Sequence, residues 1–230
     1  MKNSSQVGTV LAVVSLCLFG IYILCFAAIL IVNEPYLWTN IREFAAHEAT
    51  SQTVFKYTGM VCMLLFSCAF VGMVACVQPR IAKESMWIFH IALAFALAFC
   101  IAISLNYFVQ ASATRLQLEA GYAEGLEQLT QTFSISAINA VNMLGWTVFF
   151  PISTLALAAV LKGQENVKPL RFFCLANTAI MLLGCVGYLA NQFYLLFVTM
   201  NLGLGITGIG LTVALRQLFR RGINEAASIY

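Results

Sequence analysis

The amino-acid sequence predicts an all-α, polytopic membrane protein: a bundle of six transmembrane helices with both termini in the cytoplasm. Three observations support this fold class. Hydrophobic residues make up 61% of the 230 residues and charged residues only 9%, whereas soluble domains carry about 25% charged residues. The apolar residues form stretches long enough to cross a bilayer core, which takes about 20 residues. The Lys and Arg residues gather on one side of those stretches, as the positive-inside rule predicts.

Six apolar stretches are long enough to span the membrane, and they form a single transmembrane domain over residues 1–230. The first stretch has 26 residues, which is longer than the apolar region of a signal peptide, so we expect it to be retained. The last two stretches belong to one apolar run of about 50 residues. A single helix of that length would be about 75 Å long, which is more than a bilayer core of about 30 Å requires. We therefore expect the chain to turn at residues 190–194. The predicted spans are residues 7–32, 53–77, 86–110, 135–161, 170–189 and 194–218.

The basic residues orient the bundle. Nine of the twelve Lys and Arg lie on the side of the termini, and Arg42, Lys56 and Arg115 lie on the other side. Short loops rich in Lys and Arg stay in the cytoplasm. Residues 33–52 and 111–134 are therefore predicted to be external loops of a multi-pass protein of the cell (inner) membrane, with the lipid bilayer as its first partner.

The second external loop carries an amphipathic pattern. Leu118, Tyr122, Leu126 and Leu129 are spaced by three and four residues, which predicts one apolar helix face. Such a helix lies on the membrane surface or forms a lid over a site, and both interpretations stay open.

Uncharged polar residues mark the external half of the spans. No Glu lies inside a predicted span, and Lys56 lies close to the beginning of the second. At a rise of 1.5 Å per residue, most of these polar residues fall within about 10 Å of the external boundary. Lipid does not satisfy Asn or Gln, so they form an outward-opening pocket or interhelical contacts, which contribute about 0.6 kcal/mol each. The candidate ligand-binding residues are Lys56, Tyr57, Asn106, Gln110, Asn139, Asn142, Trp146, Tyr188, Asn191 and Asn201.

The sequence assigns no catalytic residue, metal ligand or cofactor. It has no His cluster, no pair of carboxylates within a span and no G-x-S-x-G, and its eight Cys lie in apolar stretches without a C-x-x-C pair. The segment GLGITG at residues 203–208 has the spacing of a dinucleotide fingerprint but lies within a span, without the βαβ context. Its glycines instead predict close helix packing. No basic run indicates a nucleic acid partner.

Two adjoining segments carry a resemblance. The stretch NYFVQASATRLQLEAGYAEGLEQLTQ is followed by NMLGWTVFFPISTLALAAVL. The shared features are a span ending in Tyr-Phe-x-Gln, a basic residue soon after it, EGL in the external loop and a Gly-aromatic pair in the next span. Over about residues 106–161 the chain resembles a loosely defined family of multi-pass bacterial and archaeal membrane proteins of unknown function. The resemblance implies the multi-pass topology and the importance of residues 106–146, and it implies no activity.

The sequence favours a protein that binds or transports a small amphipathic or lipid-like molecule in a polar pocket of the external half. Two other classes stay open. One is an accessory or structural subunit, or a homo-oligomer, that contacts its partner through the Gly-rich fifth and sixth spans. The other is a membrane-embedded enzyme that uses external-loop Glu residues with nearby basic or phenolic groups: Glu119, Glu124 or Glu127 with Lys56, Tyr57 or Arg115.

Overall fold

The chain folds as a helical bundle. A computed structural model describes residues 2–34 and 36–227 and contains, within them, six helices long and apolar enough to cross a membrane, which confirms the predicted number of such helices. The side of the membrane on which the termini lie stays a prediction. In chain order the helices are α1 (Asn3–Val32), the short α2 (Ile41–Thr50), α3 (Val54–Arg80), α4 (Lys83–Glu119), α5 (Ala137–Val160), α6 (Lys168–Leu189) and α7 (Phe193–Ile223).

The six spanning helices form a closed ring. Each packs against the next one along the chain, and α7 returns to pack against α1. Aromatic side chains fill the centre between α3, α4 and α5: the ring centroid of Phe150 lies 4.9 Å from that of Phe70 and 4.8 Å from that of Phe99. Such aromatic pairs contribute about 0.5–1.5 kcal/mol beyond the area that they bury.

A hydrogen-bonded cluster joins α5, α6 and α7. The Nδ2 of Asn177 donates to Thr207 at 3.0 Å, and Thr154 donates to the Oδ1 of Asn177 at 3.3 Å. Thr178 donates to the carbonyl of Pro151 at 3.1 Å. Because both ends of the Asn177 amide are paired, this cluster is the interhelical contact that polar residues in a membrane are expected to make.

The two long loops pack together on one end of the bundle. We name residues 33–34, 36–53 and 120–136 the cap, and that end the cap side. Asn40 begins α2 by accepting the backbone N–H of Glu43 at 2.9 Å, a standard N-cap. The buried Ile41 and Phe44 of α2 pack against Leu126 of the second loop. The loops are therefore joined by an apolar core of their own.

The second loop differs from the predicted amphipathic helix. α4 continues past the predicted boundary and ends at Glu119, and Gly121 and Gly125 then adopt φ of 81° and 82°. Glycine tolerates this left-handed region, whereas other residues avoid it. Leu126 is buried while Tyr122 is 70% exposed, so the spaced apolar residues do not share one face. The segment is a loop that is anchored at Leu126.

Candidate functional site: a lateral cavity beneath the cap

A cavity of about 760 Å³ lies among α1, α3, α4, α5, α6 and α7, and we name it the lateral cavity. Met200 and Gly210 of α7 both line it, so at 1.5 Å per residue it extends for about 15 Å along that helix. Gln131 of the cap lines it as well. The complete lining is Phe19, Tyr22, Ile23, Phe26, Met63, Tyr107, Gln131, Asn142, Met143, Trp146, Phe173, Met200, Asn201, Leu202, Leu204, Gly205, Ile206, Ile209 and Gly210.

The lateral cavity opens between α1 and α7. A Cβ added at Gly208 would lie 2.9 Å from the ring of Phe19, so the two helices touch there. One turn closer to the cap, a Cβ added at Gly205 would meet nothing within 4 Å. Ile23 and Ile206, which line the cavity, are 45% and 68% exposed. Since these apolar side chains lie within membrane spans, the opening faces the acyl chains of the bilayer.

Asn142 is the polar group that the fold leaves without a partner at this cavity. Its side chain lines the cavity and is only 2% exposed, yet its Oδ1 has no hydrogen-bond partner among the described residues. Burying an amide in this way costs about 1–3 kcal/mol. Asn177, at a similar degree of burial, has both ends of its amide paired. The Oδ1 of Asn106 also lacks a partner among the described residues, but Asn106 does not line the cavity, so Asn142 is the asparagine with an unpaired amide oxygen in the cavity wall.

Two lining helices widen beside the cavity. The segments Gly145–Phe149 of α5 and Thr199–Gly203 of α7 are π-helical turns, and they contain the lining residues Trp146, Met200 and Asn201. The Nδ2 of Asn201 donates to the carbonyl of Phe197 at 2.8 Å, within its own helix. Single π-helical turns occur frequently at functional sites, and here they coincide with the cavity wall.

The cap is hydrogen-bonded over the cavity by side chains of the spans. Asn106 donates to the Oε1 of Gln131 at 2.9 Å, and the backbone N–H of Gln131 donates to the Oε1 of Gln110 at 3.1 Å. Asn139 and Tyr188 donate to the carbonyl of Ser134 at 2.7 Å and 3.2 Å. These polar residues hold the second loop against the spans, and its Gln131 reaches the cavity wall.

Two smaller cavities share lining residues with one another, and the first also shares them with the lateral cavity. The first, of about 140 Å³, shares Tyr22 and Gln131 with it and reaches Lys56. The second, of about 320 Å³, shares Lys56 with the first and reaches Glu48. The Nζ of Lys56 lies 2.8 Å from the Oε2 of Glu48 and 5.2 Å from the ring centroid of Phe44. A paired cation therefore lies in the wall that the two smaller cavities share.

The structure divides the predicted ligand-binding residues into groups. Asn142, Trp146 and Asn201 line the lateral cavity, and Lys56 lines the adjoining one. Asn106, Gln110, Asn139 and Tyr188 hold the cap. Tyr57 lies beside Lys56, with its ring centroid 5.6 Å from Nζ, and Asn191 is exposed in the α6–α7 turn at φ 53°.

Sequence reasoning missed several lining residues. They belong to α1, to the cap or to apolar, aromatic and glycine positions that depth and polarity did not select: Tyr22, Phe26, Met63, Tyr107, Gln131 and Gly205. Tyr107 is the exception, since it lies about 5 Å from the predicted external end of the third span and so meets the depth used for the other candidates.

Several groups named for the other function classes have partners within the chain. Arg115 pairs with Glu119 at 2.9 Å, and Arg42 pairs with Glu124 at 3.2 Å. Within the described residues, no group of three His, Cys, Asp or Glu could hold a metal ion. Gly184 of the fifth span packs internally: a Cβ added there would lie 2.9 Å from the Oγ1 of Thr199.

Comparisons with known proteins find no matching family model, no matching curated protein and no matching solved structure. The chemistry of the lateral cavity is therefore what indicates a function.

Proposed function

We propose that the protein binds an amphipathic, lipid-like molecule in the lateral cavity. We also propose that the cap is external and that both termini are cytoplasmic, in line with the excess of Lys and Arg on the terminal side. The observation that carries the proposal is the buried Asn142 amide, whose Oδ1 lacks a partner, in the wall of an apolar cavity of about 760 Å³.

The apolar lining supports a ligand with a hydrocarbon body. Small-molecule sites usually have volumes of about 300–1,000 Å³ and are lined mainly by apolar and aromatic side chains with a few polar groups. Phe19, Phe26, Met63 and Trp146 provide such a surface here. Each methylene that leaves water for this surface contributes about 0.8 kcal/mol, and the opening between α1 and α7 gives access from the bilayer.

The polar residues support a ligand with a polar end. Gln131, Asn142 and Asn201 place amides on the wall of an otherwise apolar cavity. A hydrogen bond to such an amide contributes about 0.5–1.5 kcal/mol net and also relieves the cost of a buried unpaired group. A pure hydrocarbon offers no such bond, so the amides favour an amphipathic molecule.

Transfer of the ligand is a natural extension of binding. The lateral cavity opens towards lipid, the first smaller cavity shares lining residues with it, and Lys56 lines both smaller cavities. A molecule that enters from the bilayer would reach the cap side by this route once the contact between Lys56 and Glu48 opens. Transport in this sense is part of the proposal.

Native mass spectrometry of the purified protein, with lipid extraction, tests the proposal. We expect the wild type to carry one tightly bound molecule and Asn142→Leu to lose it. Gly205→Leu should lose it too, because its side chain projects into the open space of the cavity. Gly20→Leu is the matched control: a Cβ there also meets nothing within 4 Å, but Gly20 does not line the cavity.

Two results would contradict the proposal. The wild type could have a mass that corresponds to the chain alone after mild extraction, or Gly205→Leu and Gly20→Leu could retain the bound molecule equally well. A second chain that co-purifies at fixed stoichiometry, without a small molecule, would instead favour an accessory subunit.

A further inference from the structure

We infer that the ligand is a single-chain lipid with an uncharged, hydroxyl-bearing head group, of which a monoacylglycerol is the simplest example. The inference rests on the function proposed above and narrows its ligand class by size, charge and hydrogen-bonding capacity.

The size of the cavity favours one acyl chain. A dry protein cavity of about 150 Å³ accommodates benzene. On that scale, the lateral cavity of about 760 Å³ has room for about 30 non-hydrogen atoms. A monoacylglycerol with a long acyl chain has about 25 non-hydrogen atoms, and a lipid with two such chains has nearly twice as many. A single-chain lipid therefore fills the cavity without displacing its walls.

The lining excludes a charged head group from the lateral cavity. All nineteen residues that line it are uncharged. A phosphate, carboxylate or ammonium group that enters such a lining loses its water without gaining a counter-ion, and the free-energy cost of this exchange is large. An uncharged head group avoids that cost.

The cap offers no cation to an anionic head group on its side of the bundle. Each Lys or Arg among the described residues there is paired with a carboxylate: Lys56 with Glu48 at 2.8 Å, Arg115 with Glu119 at 2.9 Å and Arg42 with Glu124 at 3.2 Å. Three further Glu lie on the same side, which leaves a negative excess: Glu34, Glu43 and Glu127. This charge repels phosphate and carboxylate head groups.

The polar groups of the wall match a hydroxyl. The Oε1 of Gln131 and the Nδ2 of Asn201 are already bonded within the chain, whereas the Asn142 amide has a donor and an acceptor, and a hydroxyl also both donates and accepts. A hydroxyl can therefore bond to either end of the Asn142 amide. An ester or ether oxygen only accepts, so it bonds to the donor end alone.

Fluorescence quenching tests the head-group class directly. Trp146 lines the cavity, whereas Trp87 is 64% exposed on the outside of the bundle. The full chain with Trp38→Phe and Trp87→Phe keeps Trp146 as its one tryptophan, and the chain with Trp38→Phe and Trp146→Phe keeps Trp87. Both are placed in phosphatidylcholine nanodiscs. Dibromostearoyl monoacylglycerol is titrated in, and in parallel its 1-phosphate, in which one hydroxyl is replaced by a charged phosphate.

We expect the monoacylglycerol to quench Trp146 saturably, at a concentration at least tenfold lower than the 1-phosphate requires. Trp87, which contacts bulk lipid, should be quenched equally by both and without saturation. When Gly205→Leu is added to the chain that keeps Trp146 as its one tryptophan, the saturable quenching of Trp146 should disappear. Equal or stronger saturable quenching by the 1-phosphate would overturn the head-group inference while leaving the proposed cavity binding intact. Absence of saturable quenching by either lipid would count against both.

Discussion

Asn142 and Asn177 provide a matched pair for deciding which polar residues of this bundle stabilise it and which await a ligand. Both are buried asparagines within spans, in α5 and α6. Asn177 bonds to Thr154 and Thr207, whereas the Oδ1 of Asn142 has no partner among the described residues. Leucine has the same number of side-chain heavy atoms and the same branching at Cγ as asparagine, so Asn142→Leu and Asn177→Leu remove the amide and keep the branched shape.

The two substitutions should have opposite effects on the stability of delipidated protein. Asn177→Leu removes two interhelical hydrogen bonds at about 0.6 kcal/mol each, which lowers the free energy of unfolding by about 1.2 kcal/mol. Asn142→Leu removes an unpaired group whose burial costs about 1–3 kcal/mol, so it should raise the free energy of unfolding. For a chain of this length, 1 kcal/mol corresponds to about 2–4 °C in Tm. The variants should therefore differ by at least about 2–5 °C.

Thermal scans in detergent, read by size-exclusion chromatography of the surviving protein, measure this difference. Delipidation matters because a ligand bound to the folded state stabilises it by mass action. When monoacylglycerol is added back, the Tm of the wild type should rise and that of Asn142→Leu should stay constant. If Asn142→Leu lowers the Tm as much as Asn177→Leu does, Asn142 is an interhelical contact, and the reasoning from its unpaired amide is refuted.

Three further predictions concern the cap. Gln110→Ala removes two hydrogen bonds to the second loop. Amide hydrogen exchange at residues 126–134 should therefore become several-fold faster. Unchanged exchange would show that other contacts hold the loop. Gly125→Ala places a side chain at φ 82° and should lower Tm by about 2–4 °C for a strain of about 1 kcal/mol, whereas Gly20→Ala should not. Hydrogen bonds from Thr39 and then Asn40 lower the pKa of Glu43. These hydrogen bonds to the Glu43 carboxylate therefore stabilise α2 at any pH above the ordinary pKa of Glu. Their contribution is lost as the pH falls through the lowered pKa of Glu43 in the folded protein. Amide exchange in α2 should rise over that acidic range, and Thr39→Val should weaken the dependence.

The spans could be predicted because hydropathy over 20 residues depends on composition alone. The turn between α6 and α7 could also be predicted, since one helix of that length exceeds the bilayer. The cap could not be predicted in the same way. The spacing of Leu118, Leu126 and Leu129 fits a helix, but Gly121 and Gly125 turn the chain, and Leu126 packs on α2 instead. That contact joins segments about 80 residues apart, which periodicity does not detect.

The candidate site could be predicted in part for a similar reason. Depth within the spans selected Asn142 and Asn201, and a shared helix face selected Trp146; all three line one cavity. Depth also selected Asn106 and Asn139, which bond to the cap. Depth alone does not distinguish the two groups, since the partner of each amide depends on where the loop folds back.

Gly205 shows why the cavity itself lay beyond sequence reasoning. Gly203, Gly205 and Gly208 belong to one pattern of small residues, and such patterns usually mark close helix contacts. Gly203 does meet Ile180, and Gly208 meets Phe19, whereas a Cβ at Gly205 would meet nothing within 4 Å. The gap arises because α1 touches α7 at Gly208 and diverges from it towards the cap. A small residue beside a diverging helix leaves space rather than contact, and in a membrane the molecules available to occupy that space are lipids.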